Sequence, residues 1–292
     1  AIADGSYFCA VSDGETSDVS AAKTGYITGG ATGLAVASES GPQRSHDMSD
    51  GTGGELLFTV MLSALEDELG ATLTGATVTS GAGGAVACVE PAIPDGSYFC
   101  AVPDGETSAV TAALDGYITH TAATLGGADE NGSQIAQDMS DATGDELRFT
   151  VKASVEDELG NTLTGATVTS GAGGAIACLE DAPPDGFYYC AVPNGETSAV
   201  TAALIGYVTS IKASAGNVDV SGSQTLQEMT DGSGGELLFA VKVNAAQDEL
   251  GNAVDIEAGD VATLYNTAGC SGLEAPIDPP AYDAATEAWY IR

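Results

Sequence analysis

Six cysteines are the residues of this chain best suited to covalent chemistry, and their spacing is periodic. Three follow an aromatic pair and precede Ala-Val, at intervals of 91 and 90 residues, and three lie near the end of the block that follows. The two sets are Cys9, Cys100 and Cys190, and Cys88, Cys178 and Cys270. The chain therefore contains three sequence repeats, which we predict to be domains over residues 1–90, 91–180 and 181–272, followed by a linker and tail over 273–292.

The repeat favours disulfides within each copy, 9–88, 100–178 and 190–270. In the chain-entropy description, closing a loop of about 80 residues stabilises the fold by on the order of 4 kcal/mol. The alternative pairs Cys88 with Cys100 and Cys178 with Cys190, across the repeat boundaries. In that case Cys9 and Cys270 stay available for bonds between molecules.

Paired cysteines require an oxidising compartment, so we expect an extracellular, cell-surface or virion-surface location. The sequence opens on Ala1 at a repeat boundary, without a methionine, as expected of a mature product after removal of an export signal. No apolar stretch reaches the roughly 18 residues that a membrane span needs.

The charge balance limits the partners. Seven Lys and Arg stand against 42 Asp and Glu, for a formal net charge of −35. Phosphate backbones and anionic lipid surfaces repel such a chain, so nucleic acid is not expected as a partner. We expect the protein to associate with copies of itself.

One loop of each repeat is rich in carboxylates, which are the ligands that calcium prefers. The candidate ligands are Asp47, Asp50, Glu55, Asp138, Asp141, Glu146, Asp231 and Glu236. Their spacing differs from the EF-hand loop, and acidic residues are also common turn formers. A solvated acidic turn is therefore the alternative to a calcium site, and no other cofactor is expected.

The histidines argue against an enzyme. His46 and His120 lie at non-equivalent places in the first two repeats, and the third repeat has none. A repeated Ser-His-Asp or Cys-His site cannot be built from them. We expect no catalytic activity.

Alternating polarity predicts β-strands throughout. In the second repeat an apolar set interleaves with a polar set of Arg148, Thr150 and Lys152, which we predict to face solvent. The apolar, inward set is Leu147, Phe149, Val151 and Ala153. A further strand is predicted at residues 6–11, and Gly, Ser, Asn and Asp clusters separate the strands. The expected fold is all-β, with three tandem antiparallel β-sandwich domains, in which Tyr26, Tyr117 and Tyr207 are core or corner tyrosines.

Residues 157–168, Asp-Glu-Leu-Gly-Asn-Thr-Leu-Thr-Gly-Ala-Thr-Val, resemble the strand-turn-strand signature of bacterial immunoglobulin-like surface domains. The first repeat departs from it at Gly70-Ala71, and the third loses the Gly-Ala-Thr-Val strand. The resemblance implies an immunoglobulin-like sandwich in a stalk, adhesin or polymer subunit outside cells, without catalysis.

The tail is the segment we expect to mediate assembly. A proline-containing joint precedes it, as between the repeats, and its aromatic and apolar residues have no domain of their own. These residues are Tyr282, Trp289, Tyr290 and Ile291. As a strand, the tail would either complete a sheet of the next molecule or fold back onto the third repeat.

These features predict an exported structural protein, the subunit of a pilus-like or sheath-like extracellular filament joined head to tail through its C-terminal segment. A virion surface protein, either a capsid decoration or a fibre, is one alternative. A calcium-dependent or glycan-binding adhesin module is the other.

Overall fold

The computed structural model of the chain describes residues 5–34, 38, 40–49, 54–214, 216–243, 246–247, 250, 253–254, 281–283 and 288–291. Two compact units are present, Ala1–Ala113 with His120–Leu147, and Leu114–Thr119 with Arg148–Arg292. The boundary near residue 147 falls inside the second sequence repeat. The compact units therefore do not coincide with the repeats, and the division into three domains stays a prediction.

Strands account for nearly all regular structure, and the described residues contain no α-helix. In the first unit they are β1 (Ser17–Ala21), β2 (Tyr26–Ile27), β3 (Gly29–Leu34), β4 (Leu57–Phe58), β5 (Val60–Leu65), β6 (Thr77–Ser80), β7 (Val86–Ala87), β8 (Tyr98–Cys100), β9 (Thr111–Ala113), β10 (His120–Thr121) and β11 (Ile135–Met139). In the second unit they are β12 (Val151–Val155), β13 (Thr167–Ser170), β14 (Ile176–Ala177), β15 (Leu179–Glu180), β16 (Phe187–Cys190), β17 (Val200–Ala203), β18 (Tyr207–Val208), β19 (Ser210–Lys212), β20 (Thr225–Met229), β21 (Leu238–Phe239), β22 (Val241–Val243), β23 (Ala246–Gln247), β24 (Ala253–Val254), β25 (Ala281–Asp283) and β26 (Ala288–Ile291). Short 3₁₀ turns occupy Ala82–Gly84, Asp141–Thr143 and Ala172–Gly174. The predicted all-β sandwich class is confirmed, but two sheets are mixed and not purely antiparallel as predicted, because β11 runs parallel to β5 and β20 runs parallel to β12.

In the first unit, two principal sheets have the strand orders β11-β5-β8 and β10-β9-β6-β7. Smaller two-stranded sheets pair β1 with β3 and β2 with β4. Alternation along β5 places Val60 and Leu62 in the interior with no exposed surface. Burying each such side chain favours folding by about 1.5–3 kcal/mol, so β5 anchors the core of this unit.

The second unit repeats this plan. Its sheets have the orders β15-β16-β12-β20 and β14-β13-β17-β19, with β12 in the place of β5. Val151 and Val155 of β12 are fully buried in one apolar cluster with Met229 and Leu237. A further sheet, of order β22-β26-β25, and the pairs β18-β21 and β23-β24 also belong to this unit.

The predicted alternation holds on the inward side and fails at one outward position. Val151 and Ala153 are fully buried as expected. Thr150, predicted to face solvent, is also fully buried, as is Thr59 at the same place in the first repeat. The prediction for Thr150 is wrong because its hydroxyl bonds to backbone carbonyl groups of other segments instead of to water.

Candidate assembly site

The first strand of each of the later repeats pairs with the repeat before it. We call β8 and β16 the leading strands, and β5, β12 and β22 the central strands of the three repeats. The leading strand β8 lies antiparallel to the central strand β5, with Val60 opposite Cys100 and Leu62 opposite Tyr98. In the same register, β16 lies along β12 of the second repeat. The central strands β5 and β12 are thus each completed by the next repeat along the chain.

A second strand is contributed in the same direction. We call β11 and β20 the parallel strands, because β11 runs parallel to β5 and β20 runs parallel to β12. They occupy the edge of the central strand opposite to the leading strand. A central strand has two edges of unpaired backbone groups, and here the following repeat satisfies both.

The disulfides follow this exchange. Cys88 bonds to Cys100 and Cys178 to Cys190, with Cα–Cα distances of 4.2 and 4.3 Å. The predicted pairing within repeats is therefore wrong for 9–88 and 100–178, and the alternative across the repeat boundaries is correct. The physical reason is that each leading strand lies beside the end of the preceding repeat.

These bonds close short loops, since the cysteines of each pair are 12 residues apart in sequence. In the chain-entropy description each contributes about 3 kcal/mol, less than the long loops expected from the sequence. Cys9 is a free, exposed thiol. Cys270, and with it the predicted 190–270 bond, lies outside the described residues.

A buried threonine binds each leading strand to the central strand. The Thr150 hydroxyl lies 2.8 Å from the carbonyl oxygen of Val192 and accepts the Val192 N–H at 2.9 Å. Thr59 makes the equivalent contacts to Val102 at 2.7 and 3.0 Å. The third repeat has Ala240 at this position and so lacks the hydroxyl.

Thr59 and Thr150 also reach a third segment. Their hydroxyl oxygens lie 3.1 Å from the carbonyl oxygen of Gly25 and 3.0 Å from that of Gly116. One side chain therefore joins three parts of the chain. In the sequence, only the recurrence of threonine at this position in two repeats pointed to this contact. The polarity of threonine by itself predicted a solvent-facing side chain, which is wrong.

A buried tyrosine is the second anchor of each leading strand. Tyr188 is 1% exposed; its hydroxyl accepts the Ala166 N–H at 3.0 Å and lies 3.1 Å from Glu180 Oε1. Burial raises the pKa of Tyr188 to about 12, opposed by the Ala166 N–H and assisted by the negative charge of Glu180.

Tyr98 repeats these contacts with Ala76 and Glu90 at 3.0 and 3.2 Å. Burial is the main cause that raises its pKa as well. In both cases a tyrosine of one repeat bonds to a turn of the repeat before it. Sequence analysis used this tyrosine only to mark the repeat and assigned it no role.

Aromatic rings extend the contact. Tyr117 lies 4.9 Å from Phe149 between ring centroids, and Phe149 lies 5.8 Å from Tyr189 of the leading strand. The first unit has the same row, formed by Tyr26, Phe58 and Phe99 at 4.8 and 5.6 Å. Tilted aromatic pairs add about 0.5–1.5 kcal/mol beyond the area they bury. Of the three predicted tyrosines, Tyr26 and Tyr117 are half-buried and pack beside the strand-exchange sites, and Tyr207 is buried with its ring centroid 5.0 Å from that of Phe239.

The tail occupies the leading-strand position of the third repeat. β26 lies antiparallel to β22, with Val241 opposite Ile291 and Val243 opposite Trp289. Ile291 therefore takes the register position that Cys190 has on β12. Tyr290 likewise takes the register position that Tyr189 has on β12. β25, which includes Tyr282, pairs with the other edge of β26. Of the two alternatives left open by the sequence, this pairing is the one within the same chain; docking of the tail onto another molecule stays a prediction.

The equivalent segments of the first repeat have a different environment. We call residues 7–11 and 43–48 the donor segments, because they hold the repeat positions of a leading and a parallel strand. Tyr7 is 76% and Phe8 66% exposed, whereas Tyr98 is 1% exposed. Residues 6–11 are not a strand, contrary to prediction, and residues 42–48 form none either. Among the described residues, neither donor segment has a central strand to pair with.

The predicted calcium ligands do not come together in the described part of the chain, where no group of three or more His, Cys, Asp or Glu side chains is close enough to hold a metal ion. Instead, Asp138 accepts the Ser140 N–H at 3.1 Å and Asp47 that of Ser49 at 2.9 Å. Hydrogen bonds from Ser49 hold the pKa of Asp47 below its usual value.

The other acidic candidates have varied environments. Glu146 is buried, Glu55 and Glu236 are half-buried, and Asp141 and Asp231 are exposed. Asp50 lies outside the described residues. The carboxylates of Asp47 and Asp138 accept backbone N–H groups two residues later, as turn-forming residues do. For these two residues the structure therefore agrees with the alternative of an acidic turn.

Among the described residues, no helix is long and apolar enough to cross a membrane. Comparison of the chain with models of protein families, with curated proteins and with solved structures gave no match. The resemblance to immunoglobulin-like surface domains therefore stays a prediction.

Proposed function

We propose that the protein is an exported structural protein, the subunit of an extracellular filament in which identical molecules join head to tail. The observation that carries the proposal is the strand exchange, which occurs twice within one chain in the same register. The first repeat carries the same donor sequence in exposed form, with Tyr7 76% exposed. A contact that joins repeat to repeat would equally join molecule to molecule, and such a heterologous contact generates an open filament unless its rotation closes it into a ring.

The chemistry of the chain supports an extracellular setting. Two disulfides, Cys88–Cys100 and Cys178–Cys190, are stable where the surroundings are oxidising. Each lies at a strand-exchange site and ties the donated strand covalently to the repeat that receives it. A protein that must bear load along its length benefits from such bonds, since separating the repeats then requires breaking a covalent link.

The net charge of −35 predicts how assembly responds to salt. Molecules of this charge repel one another, and the repulsion between exposed charges extends about 8 Å at physiological ionic strength. We expect polymers to form more readily as salt is raised. If assembly were instead driven by attraction between opposite charges, salt would weaken it.

Sedimentation velocity combined with negative-stain microscopy tests the proposal. The purified chain is examined over a wide range of protein and salt concentrations, and the expected result is linear polymers whose length grows with both. A chain that remains monomeric under all these conditions would contradict the proposal.

A further inference from the structure

We propose that the joint between molecules is a strand exchange at β22, the central strand of the third repeat. Residues 7–11 of a second molecule replace the tail strand β26 on one edge of β22, and residues 43–48 of that molecule add to the opposite edge. This inference rests on the proposed function, and it names the surface and the partner through which that function operates.

The position of β22 identifies it as the acceptor. β22 follows β21, which pairs with β18 as β4 pairs with β2 in the first repeat. β5 and β12 carry a strand of the next repeat on each edge. β22 carries the tail on one edge and, among the described residues, no strand on the other.

The two internal exchanges fix the register of the joint. Cys100 lies opposite Val60 and Cys190 opposite Val151, so Cys9 is placed opposite Val241. On the other edge, Ile135 lies opposite Val60 and Thr225 opposite Val151, so Arg44 is also placed beside Val241.

Burial supplies the driving force. Phe8 is 66% exposed, whereas of the two equivalent rings Tyr189 is buried and Phe99 is half-buried beside its aromatic neighbour. Met48 is partly exposed, whereas Met139 at the same repeat position has no exposed surface. Exposed apolar groups that are buried wherever the same sequence has an acceptor indicate an interface.

The tail is suited to be displaced. β26 ends at Ile291, which lies opposite Val241 as Cys190 lies opposite Val151, so it ends two positions before the counterpart of Val192, which bonds to Thr150. Ile291 holds the position at which the leading strands carry a bonded cysteine, so the tail strand is not tied down at that point. We infer that the tail protects the edge of β22 until a second molecule arrives.

Cross-linking tests the register. Val241→Cys in a Cys270→Ser background places a thiol opposite Cys9 of the next molecule, within the Cα separation that a disulfide spans. Oxidised glutathione is the oxidant: two protein thiols transfer two electrons and two protons to it, so that one protein disulfide forms and the glutathione disulfide becomes two glutathione thiols. The expected product is a ladder of covalent oligomers that contains a 9–241 linked peptide. Lys242→Cys is the matched control, because the register of the internal exchanges places residue 242 opposite Phe8 and not opposite Cys9.

A gain-of-contact variant tests the same joint without cross-linking. Ala240→Thr supplies a hydroxyl at the position of Val11 of the incoming molecule, the counterpart of Val102 and Val192. β26 ends before this position, so the hydroxyl favours the incoming strand over the tail, and we expect polymers at about tenfold lower protein concentration. Ala240→Val has the same shape without the hydroxyl and should show no such gain.

The outcomes separate the inference from the proposed function. Polymers with neither a 9–241 link nor a response to Ala240→Thr would overturn the inference and leave the filament proposal standing. A 9–241 link confined to single chains would overturn it too. An absence of polymers from the unmodified chain would reject the filament proposal, and the joint with it.

Discussion

The leading strand β16 and residues 7–11 of the first repeat have nearly the same sequence and opposite environments. Tyr188 is 1% exposed in β16, and Tyr7 is 76% exposed. Cys190 is bonded and Cys9 is free. The difference shows that this sequence forms a strand only beside a central strand, because its β-pairing is supplied entirely by another repeat.

The largest expected difference comes from removing the tyrosine. Tyr188→Ala should destabilise the second unit by about 3–5 kcal/mol, since it empties a buried aromatic site and leaves the Ala166 N–H without its acceptor. Tyr7→Ala should change the stability of the monomer by less than about 0.5 kcal/mol. Urea unfolding of both variants measures this, and equal losses would show that Tyr7 is already buried in solution.

The disulfide gives the next difference. Replacing Cys178 and Cys190 together by alanine should cost the second unit about 3 kcal/mol, because the unfolded chain regains the entropy of a loop with 12-residue sequence separation. Cys9→Ala should leave the monomer unchanged, since Cys9 bonds to nothing among the described residues. Thermal unfolding of the oxidised proteins is the measurement. A comparable loss in Cys9→Ala would contradict the assignment of Cys9 as free.

The threonine gives a smaller effect. Thr150→Val keeps the shape and removes the hydroxyl that contacts Val192 and Gly116, so we expect a loss of about 1–3 kcal/mol. Ala240→Val is the control at the equivalent exposed position of the third repeat and should be close to neutral. Hydrogen exchange of the Val192 amide should quicken in Thr150→Val alone; unchanged protection would show that the hydroxyl does not hold the strand.

The smallest effect is on pH dependence. The pKa of Tyr188 is raised to about 12 in the folded protein from about 10 in an unfolded chain. Because the folded state binds this proton more tightly, its contribution is fully present below about pH 10 and is lost as the pH rises towards 12. Tyr188→Phe should remove this part of the decline, measured as the difference in unfolding free energy between the two proteins across that range. An identical decline in both would contradict the role of the Tyr188 hydroxyl.

Local pattern was a sound guide to the strands and a poor guide to their partners. Alternation located the buried side of the central strands, as Val151 and Ala153 show. It placed Thr150 on the solvent side, because a pattern of polar and apolar residues does not show which backbone carbonyl groups lie beside a hydroxyl in the folded chain. The aromatic and apolar residues of the tail predicted a strand that pairs with a sheet formed by other residues. The sequence did not identify β22 as the strand with which it pairs.

The cysteines show the limit most clearly. Their period revealed three repeats, and both pairings of Cys88 were considered from the sequence. Cys9 and Cys100 have the same local sequence, so composition and spacing could not decide which of them Cys88 would meet. The decision depends on which edge of β5 the next repeat covers, which is a property of the sheet.

The sequence by itself determined the all-β class, the threefold repetition, the acidity and the residues from which the joints are made. Only the tertiary structure decided that the first and second repeats are each completed by the next, through β8 and β11 on β5 and through β16 and β20 on β12. The physical reason is that strand pairing is formed by backbone groups, which are the same in every repeat. The choice among chemically equivalent edges is therefore made by the packing of the whole chain.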